Sequence, residues 1–338
     1  MYHYLYRCLM QGGKGNKMML KKSIIAVVLS VGMMVFGGGT VFGQAYPQKP
    51  IHLFAAEAGG AGDVLSRIIA EELAAKLGQR VLVENRGGGV IAGEIVSKAN
   101  PDGYTLLAYF NSFWLMPLMR SHVPYDPIKD FVPITCLSMS PQVLVVHPKV
   151  AANSVKELIA LAKAKPGALN YSSAATGTGS HLSAELFKSM SKTDMTRVAY
   201  KGIASAFTAL LSGETEVMFS VPTTAMAQVK TGKVKALGVS SIKPSALAAG
   251  VPTIAATIPG YEVTANLMLF APAGTPAAIV KKLHQEISQI LKKPEVKAKF
   301  LNAGAEVVGS TPEEAAAFIK AELGSMGKVI KDANIRDE

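Results

Sequence analysis

Short apolar runs alternate along this chain with longer stretches whose apolar positions recur every three or four residues, and glycines or prolines mark the changes. The first unit shows the pattern. Ile51-His52-Leu53-Phe54 reads as a short strand and Gly59-Gly60-Ala61-Gly62 as a loop. Asp63 is placed to cap a helix that carries Val64, Leu65, Ile68, Ile69, Leu73 and Leu77 on one broad face and stops at Gly78. Val81–Val83 and Tyr104–Tyr109 read as further strands, flanking a helix over 91–99 that the Pro101-Asp102-Gly103 turn ends. Residues 111–135 hold four prolines and read as irregular. Strands are then expected at 143–146, 169–172, 196–200, 216–219 and 235–239. Ser154 caps a helix that runs through Lys165, a second helix runs from His181 to Ser191, and two more helical stretches separate the later strands. A last strand near 263–271 precedes helices at 276–292 and 312–333. This alternation predicts an α/β fold with mainly parallel sheets. A length of 338 residues accommodates two domains.

Composition changes the picture at the N-terminus. Lys21-Lys22, the apolar stretch Ile24–Phe36 and the small residues around Gly43-Gln44-Ala45 read together as a signal peptide over 1–45, cleaved near Ala45. Met18 or Met19 reads as the start, with 1–17 untranslated. The apolar stretch is short for a membrane span, which needs roughly 20 residues. The expected location is the periplasm, and no cysteine stands near the cleavage region to carry a lipid. The formal charge of +11 includes five cations, and no acid, in the first 45 residues; beyond them 30 basic residues face 24 acidic ones. These are scattered, with no basic run interleaved with aromatics, so nucleic acid is not an expected partner. Cys136 is the one cysteine beyond the signal, which excludes an internal disulfide there. The six histidines are dispersed without metal-ligand spacing. No cofactor, metal or catalytic residue is expected.

Strand, glycine-rich loop and helix recur at two places, 51–77 and 169–191. Each loop aims backbone N–H groups and a helix N-terminus at one point, which favours an anion. Two such ends across a cleft could hold a small carboxylate. Gly60-x-Gly62 with Glu84 also imitates a dinucleotide fingerprint, but Leu65 occupies the place of the third glycine and export argues against an NAD-dependent enzyme.

Particular segments carry a resemblance. They are Tyr-Pro-Gln-Lys-Pro-Ile (46–51), Ala-Gly-Gly-Ala-Gly-Asp (58–63), Leu-Gly-Gln-Arg-Val-Leu-Val-Glu-Asn-Arg (77–86), Pro-Asp-Gly-Tyr-Thr-Leu (101–106) and Tyr-Asp-Pro-Ile-Lys-Asp-Phe (125–131). Lys-Pro-Gly-Ala-Leu-Asn-Tyr-Ser-Ser (165–173), Gly-Ser-His-Leu-Ser-Ala-Glu-Leu-Phe (179–187), Ala-Tyr-Lys-Gly (199–202), Pro-Gly-Tyr-Glu-Val (259–263) and Ala-Pro-Ala-Gly-Thr-Pro (271–276) continue the series. In this order they resemble the Bug-type family, the substrate-binding receptors of tripartite tricarboxylate transporters. The resemblance implies a type II periplasmic-binding-protein fold, two α/β domains with a ligand cleft between them. Residues 46–140 and 255–338 would form one domain and 141–254 the other, with hinges near 138–143 and 240–262. It also implies a monomer that closes on a small carboxylate and delivers it to membrane transporter subunits or, alternatively, reports it to a sensor kinase.

The implied ligand contacts are Ala56, Glu57, Ala58, Gly59, Gly60, Ala61 and Asp63 in the first loop, Asn111 and Ser112 after the third strand, Thr176, Gly177, Thr178, Gly179, Ser180 and His181 in the second loop, and Ser220. The chain departs from the family pattern where an aromatic is replaced and Glu57 gained, where Ser220 follows Phe219 in place of an acid, and at Asn266, where relatives carry tryptophan. A Glu57 facing the cleft would select an amino, amide or hydroxy acid.

Overall fold

A fan of three parallel strands opens the fold because each of its first two apolar runs is followed by a helix that carries the chain back to the same sheet, once on each side of the first strand. Strand β1 (Ile51–Ala55) lies between β2 (Val81–Asn85) and β3 (Thr105–Tyr109), parallel to both. The computed structural model describes residues 46–87 and 89–336; the signal expected over 1–45 lies outside them. Helix α1 (Ala61–Leu77) and helix α2 (Val90–Ser97) make the two crossovers, and Gly78 ends α1 in the left-handed conformation as expected.

The sheet then changes direction. Strand β10 (Thr264–Pro272) runs antiparallel to β3 and to β4 (Phe131–Pro141), and β11 (Glu306–Val307) completes the order β11-β4-β10-β3-β1-β2. A second sheet has the order β7-β6-β8-β5-β9. Its strands are β5 (Val143–Val146), β6 (Asn170–Ser173), β7 (Thr196–Ala199), β8 (Val217–Ser220) and β9 (Lys235–Val239). Strands β6, β7 and β8 are parallel, and β5 is antiparallel to both its neighbours. The chain is therefore α/β, with one lobe built on each sheet. Ser154 caps helix α4 (Val155–Ala164) by accepting the Glu157 N–H, as the sequence predicts.

The segment expected to be irregular contains helix α3 (Ser112–Met119). Its residues are nearly all apolar, so no amphipathic period marks it, and Pro117 lies inside it. Proline removes the N–H that would bond the Phe113 carbonyl. The Tyr125 hydroxyl replaces it, donating to Phe113 O at 2.9 Å. The Tyr125 ring stacks on Phe113 at 4.7 Å, and Phe131 and Phe270 meet Phe113 at 4.9 and 5.3 Å. Gly93 of α2 admits this cluster: a Cβ there would lie 2.5 Å from Tyr125 and 2.8 Å from Phe113.

The chain passes between the sheets twice, at Gln142 and again between Val239 and Thr264. Ser240 ties the two passages together. Its hydroxyl accepts the Gln142 N–H at 2.7 Å and donates to Val263 O at 2.5 Å. Its backbone N–H donates to Gln142 O at 2.8 Å and its carbonyl accepts the Val263 N–H at 3.1 Å. Helices α6 (Ile203–Ser212) and α7 (Pro222–Lys230) belong to the second lobe, and α8 (Ala277–Lys292) and α9 (Pro294–Asn302) return to the first. The final helix, α10 (Pro312–Asp332), starts on a capping box at Thr311 and Glu314. It packs on β4 and α3 of the first lobe and on α5 (Gly179–Ser191) of the second.

Tyr125→Phe leaves the Phe113 carbonyl buried without a donor and keeps the ring stack. Its expected cost is about 1–2 kcal/mol of unfolding free energy, read from the denaturant midpoint at unchanged slope.

Candidate functional site

A cavity of about 290 Å³ lies where the lobes meet. The first lobe contributes Phe110, Asn111 and Ser112 at the start of α3 and Leu115, Met116 and Met119 along it. The second contributes Thr176, Gly177, Thr178 and Gly179 at the start of α5, and Leu182 within it. Gln142 and Val263–Ala265 enter from the interlobe passages, and Glu322 and Met326 from the final helix. Two helix N-termini thus point toward one apolar-walled space, and first-turn N–H groups have no acceptor within their own helix. Gly177 adopts φ +76°, and a Cβ on it would lie 2.7 Å from Met119 Sδ, so the second loop can approach α3 this closely only through glycine.

Among the residues expected to bind ligand, Asn111, Ser112, Thr176, Gly177, Thr178 and Gly179 come together on this cavity. Ser180 and His181 support the loop from behind. The Ser180 hydroxyl accepts the Ala174 N–H at 3.1 Å and pairs with the Thr178 hydroxyl at 3.1 Å. His181 Nδ1 accepts the Gly177 N–H at 3.2 Å. Burial, then the nearby Arg197 charge, pushes the His181 imidazole down to about 4, so it is neutral at pH 7. Ser220 is fully buried at the end of β8, with a hydroxyl that has no protein partner, and does not line the cavity.

The first loop takes a different place. Glu57, Ala58, Gly59, Gly60 and Ala61 are exposed and do not line the cavity, nor does buried Ala56. The Glu57 side chain lies along Gly87. Gly62 packs on the Phe110 ring, which is how this loop reaches the cavity wall. Asp63 does not cap from outside the helix, because α1 begins two residues before it at Ala61. Its carboxylate reaches back to the Gly59 N–H at 2.9 Å and meets Asn85 Nδ2 at 2.9 Å and Arg67 Nε at 2.7 Å. Burial would raise this carboxyl, but the Gly59, Asn85 and Arg67 contacts outweigh it and hold it below the usual range.

The acid that does face the cavity is Glu322, which sequence reasoning missed. It is 9% exposed. Oε1 accepts from Asn111 Nδ2 at 2.5 Å and Oε2 from Trp114 Nε1 at 2.8 Å. Asn111 in turn accepts the Asn266 N–H at 2.6 Å, so β10, α3 and α10 share one polar network. Burial lifts the Glu322 carboxyl to about 7, against the lowering effect of Trp114 and Asn111 and with a small push from Glu262. A signal for Glu322 was present in the sequence. It stands in phase with Ala315, Ile319, Met326 and Val329 on the apolar face of its helix.

The chain resembles known receptors over most of its length. Residues 65–335 match the profile described as "Tripartite tricarboxylate transporter family receptor". BugT of Bordetella pertussis is 32% identical over 303 residues, covering 88% of this chain and 93% of BugT. Rpa4515 of R. palustris, solved with adipate, is 32% identical with a TM-score of 0.69, over 86% of this chain and 99% of that one. A TctC solute-binding protein from Polaromonas, solved with no ligand, is 25% identical with a TM-score of 0.77, over 85% and 99%.

The buried Glu322 carboxyl makes a prediction that the sole tryptophan can report. Its pKa is raised, so the stability it contributes is fully present below the unfolded value near 4.5 and is lost as pH rises through about 7. Trp114 emission should titrate with a midpoint near 7, because the charge appears on the group that accepts the indole N–H, and Glu322→Gln should abolish that step. A midpoint at the ordinary carboxylate value would contradict the burial. By its fold, its cavity and its match over residues 65–335, the chain belongs to the tripartite tricarboxylate transporter receptor family, the Bug-type periplasmic solute-binding receptors.

Proposed function

We propose that the chain captures a small organic acid in the cavity between its lobes, closes on it, and delivers it to the membrane subunits of a tripartite tricarboxylate transporter. The observation that carries this reading is the composition of the cavity wall. Side chains from both lobes and from both interlobe passages meet there, beneath the N-termini of α3 and α5. An anion held by first-turn N–H groups of both helices favours only the arrangement that brings them together, so ligand shifts the population toward closure. Ser240 links the two passages with short local bonds, and in this proposal the lobes rotate about it. The residues 46–140 with 255–338, and 141–254, are the moving bodies in this proposal.

The family consists of receptors rather than enzymes, and the glycines around Gly60 serve the start of α1 rather than a dinucleotide. Glu84, the would-be ribose acid, bonds His52 Nδ1 at 2.6 Å on the sheet surface. The adipate held by Rpa4515 supports a carboxylate-type ligand for this chain. No described helix is long and apolar enough to cross a membrane.

Small-angle scattering tests closure directly. The radius of gyration should fall when the cognate acid saturates the protein, and the same acid at 100 times its dissociation constant should add about 2.7 kcal/mol of stability. Stabilisation without compaction would overturn the closing mechanism.

A further inference from the structure

The cavity wall is uneven in its hydrogen-bonding roles. Gln142 Oε1 is buried with no hydrogen-bond partner, and Gln142 lines the cavity. Each oxygen of Glu322 receives one protein N–H, from Asn111 or Trp114. An ionised carboxylate has about four acceptor positions, so acceptor capacity is left over on both residues. The described residues that line the cavity include no lysine, arginine or histidine. Donors come from the second lobe, from the first turn of α5, whereas Glu322 sits against the start of α3 through Asn111 and Trp114. Between these poles the wall is apolar, formed by Phe110, Leu115, Met116, Met119, Leu182 and Met326.

A ligand that fits this arrangement has one anionic end, an apolar body, and a group that donates hydrogen bonds. Above about pH 7, where Glu322 is ionised, a second carboxylate placed beside it would meet like charge with no cation among the described lining residues to offset it. A plain methylene there would leave the Gln142 oxygen unpaired in a space from which the ligand has excluded water. An ammonium, with three N–H donors, can serve the spare acceptor positions of Glu322 and the Gln142 oxygen together, and a hydroxyl, with one O–H, can serve one of them. We propose that Glu322, with the amide oxygen of Gln142, is the specificity determinant of this receptor and selects amino or hydroxy acids over the same acids without the donor. The proposal rests on the cavity being the ligand site of the receptor. It places on the final helix the selective role that the sequence suggested for Glu57, which is exposed and lies outside the cavity.

Matched acids test it by titration calorimetry on the full chain at pH 8, above the Glu322 titration. The sets are succinate with malate and aspartate, adipate with 2-aminoadipate, and 4-methylpentanoate with leucine. The expected result is that in at least one set the donor-bearing acid binds about tenfold or more tightly than its plain counterpart. Glu322→Gln should then bring the two within about threefold of each other by loss of the donor-bearing acid's advantage. If Glu322 only tied Trp114 to Asn111, the variant would weaken both members alike and keep their ratio, which would overturn the proposal. Plain acids that bind as tightly as their partners, or more tightly, overturn it while leaving the receptor reading intact. Binding of no member of any set overturns both. The wild-type ratios need no variant, and Gln142→Leu, which removes only the unpartnered amide, gives an independent reading should Glu322→Gln fail to fold.

Discussion

A carboxyl group can leave water only if other groups take over its hydrogen bonds or its charge is suppressed, and the placement of Glu322 obeys both conditions. Asn111 and Trp114 bond its two oxygens, and burial raises its pKa toward neutrality. This constraint organises the cavity. To reach Glu322, α3 must present Asn111 at its start and Trp114 one turn later, and β10 must hold Asn111 through the Asn266 N–H. The final helix is thereby fixed to the first lobe at the same point where the cavity opens. Its continued packing on α5 brings the second lobe's loop within reach.

The second organising feature is the pair of interlobe passages. They are joined at Ser240 by backbone and hydroxyl bonds that close short rings between Gln142 and Val263. In the closure proposed above, such a joint would keep its bonds while the lobes turn, because the bonds run between the two passages. Gln142 belongs to this joint and to the cavity wall at once. In the proposed closure, a residue shared by the joint and the cavity wall would couple recognition to lobe movement without an intervening relay.

Much of the fold is legible in the pattern of apolar runs, since most strands are short, apolar and bounded by glycine, proline or a cap. Strand β9 occupies Lys235–Val239 as read, and Ser154 caps the helix it was expected to cap. Helix α3 was illegible for two physical reasons. A segment with almost no polar residues has no amphipathic phase, and Pro117 is tolerated because Tyr125, beyond the end of the helix, supplies the missing donor. The second loop's approach to the cavity was visible in its glycines. The first loop's retreat behind Phe110 was not, because it depends on how Gly62 packs against that ring. Glu322 could have been found as an acid in phase with an apolar helix face. What it meets there required the fold, since Asn111 and Trp114 lie more than 200 residues earlier.

A crystal structure of the protein grown with an acid that stabilises it would test the central claim most directly, that the interlobe cavity is the ligand site. The account predicts ligand density bounded by Phe110, Gln142, Thr176–Gly179 and Glu322, with a carboxylate at the first turns of α3 and α5 and the lobes drawn together. Density at the exposed Glu57–Ala61 loop, or in the surface depression beside His181 and Arg197, with only solvent in the cavity, would contradict it.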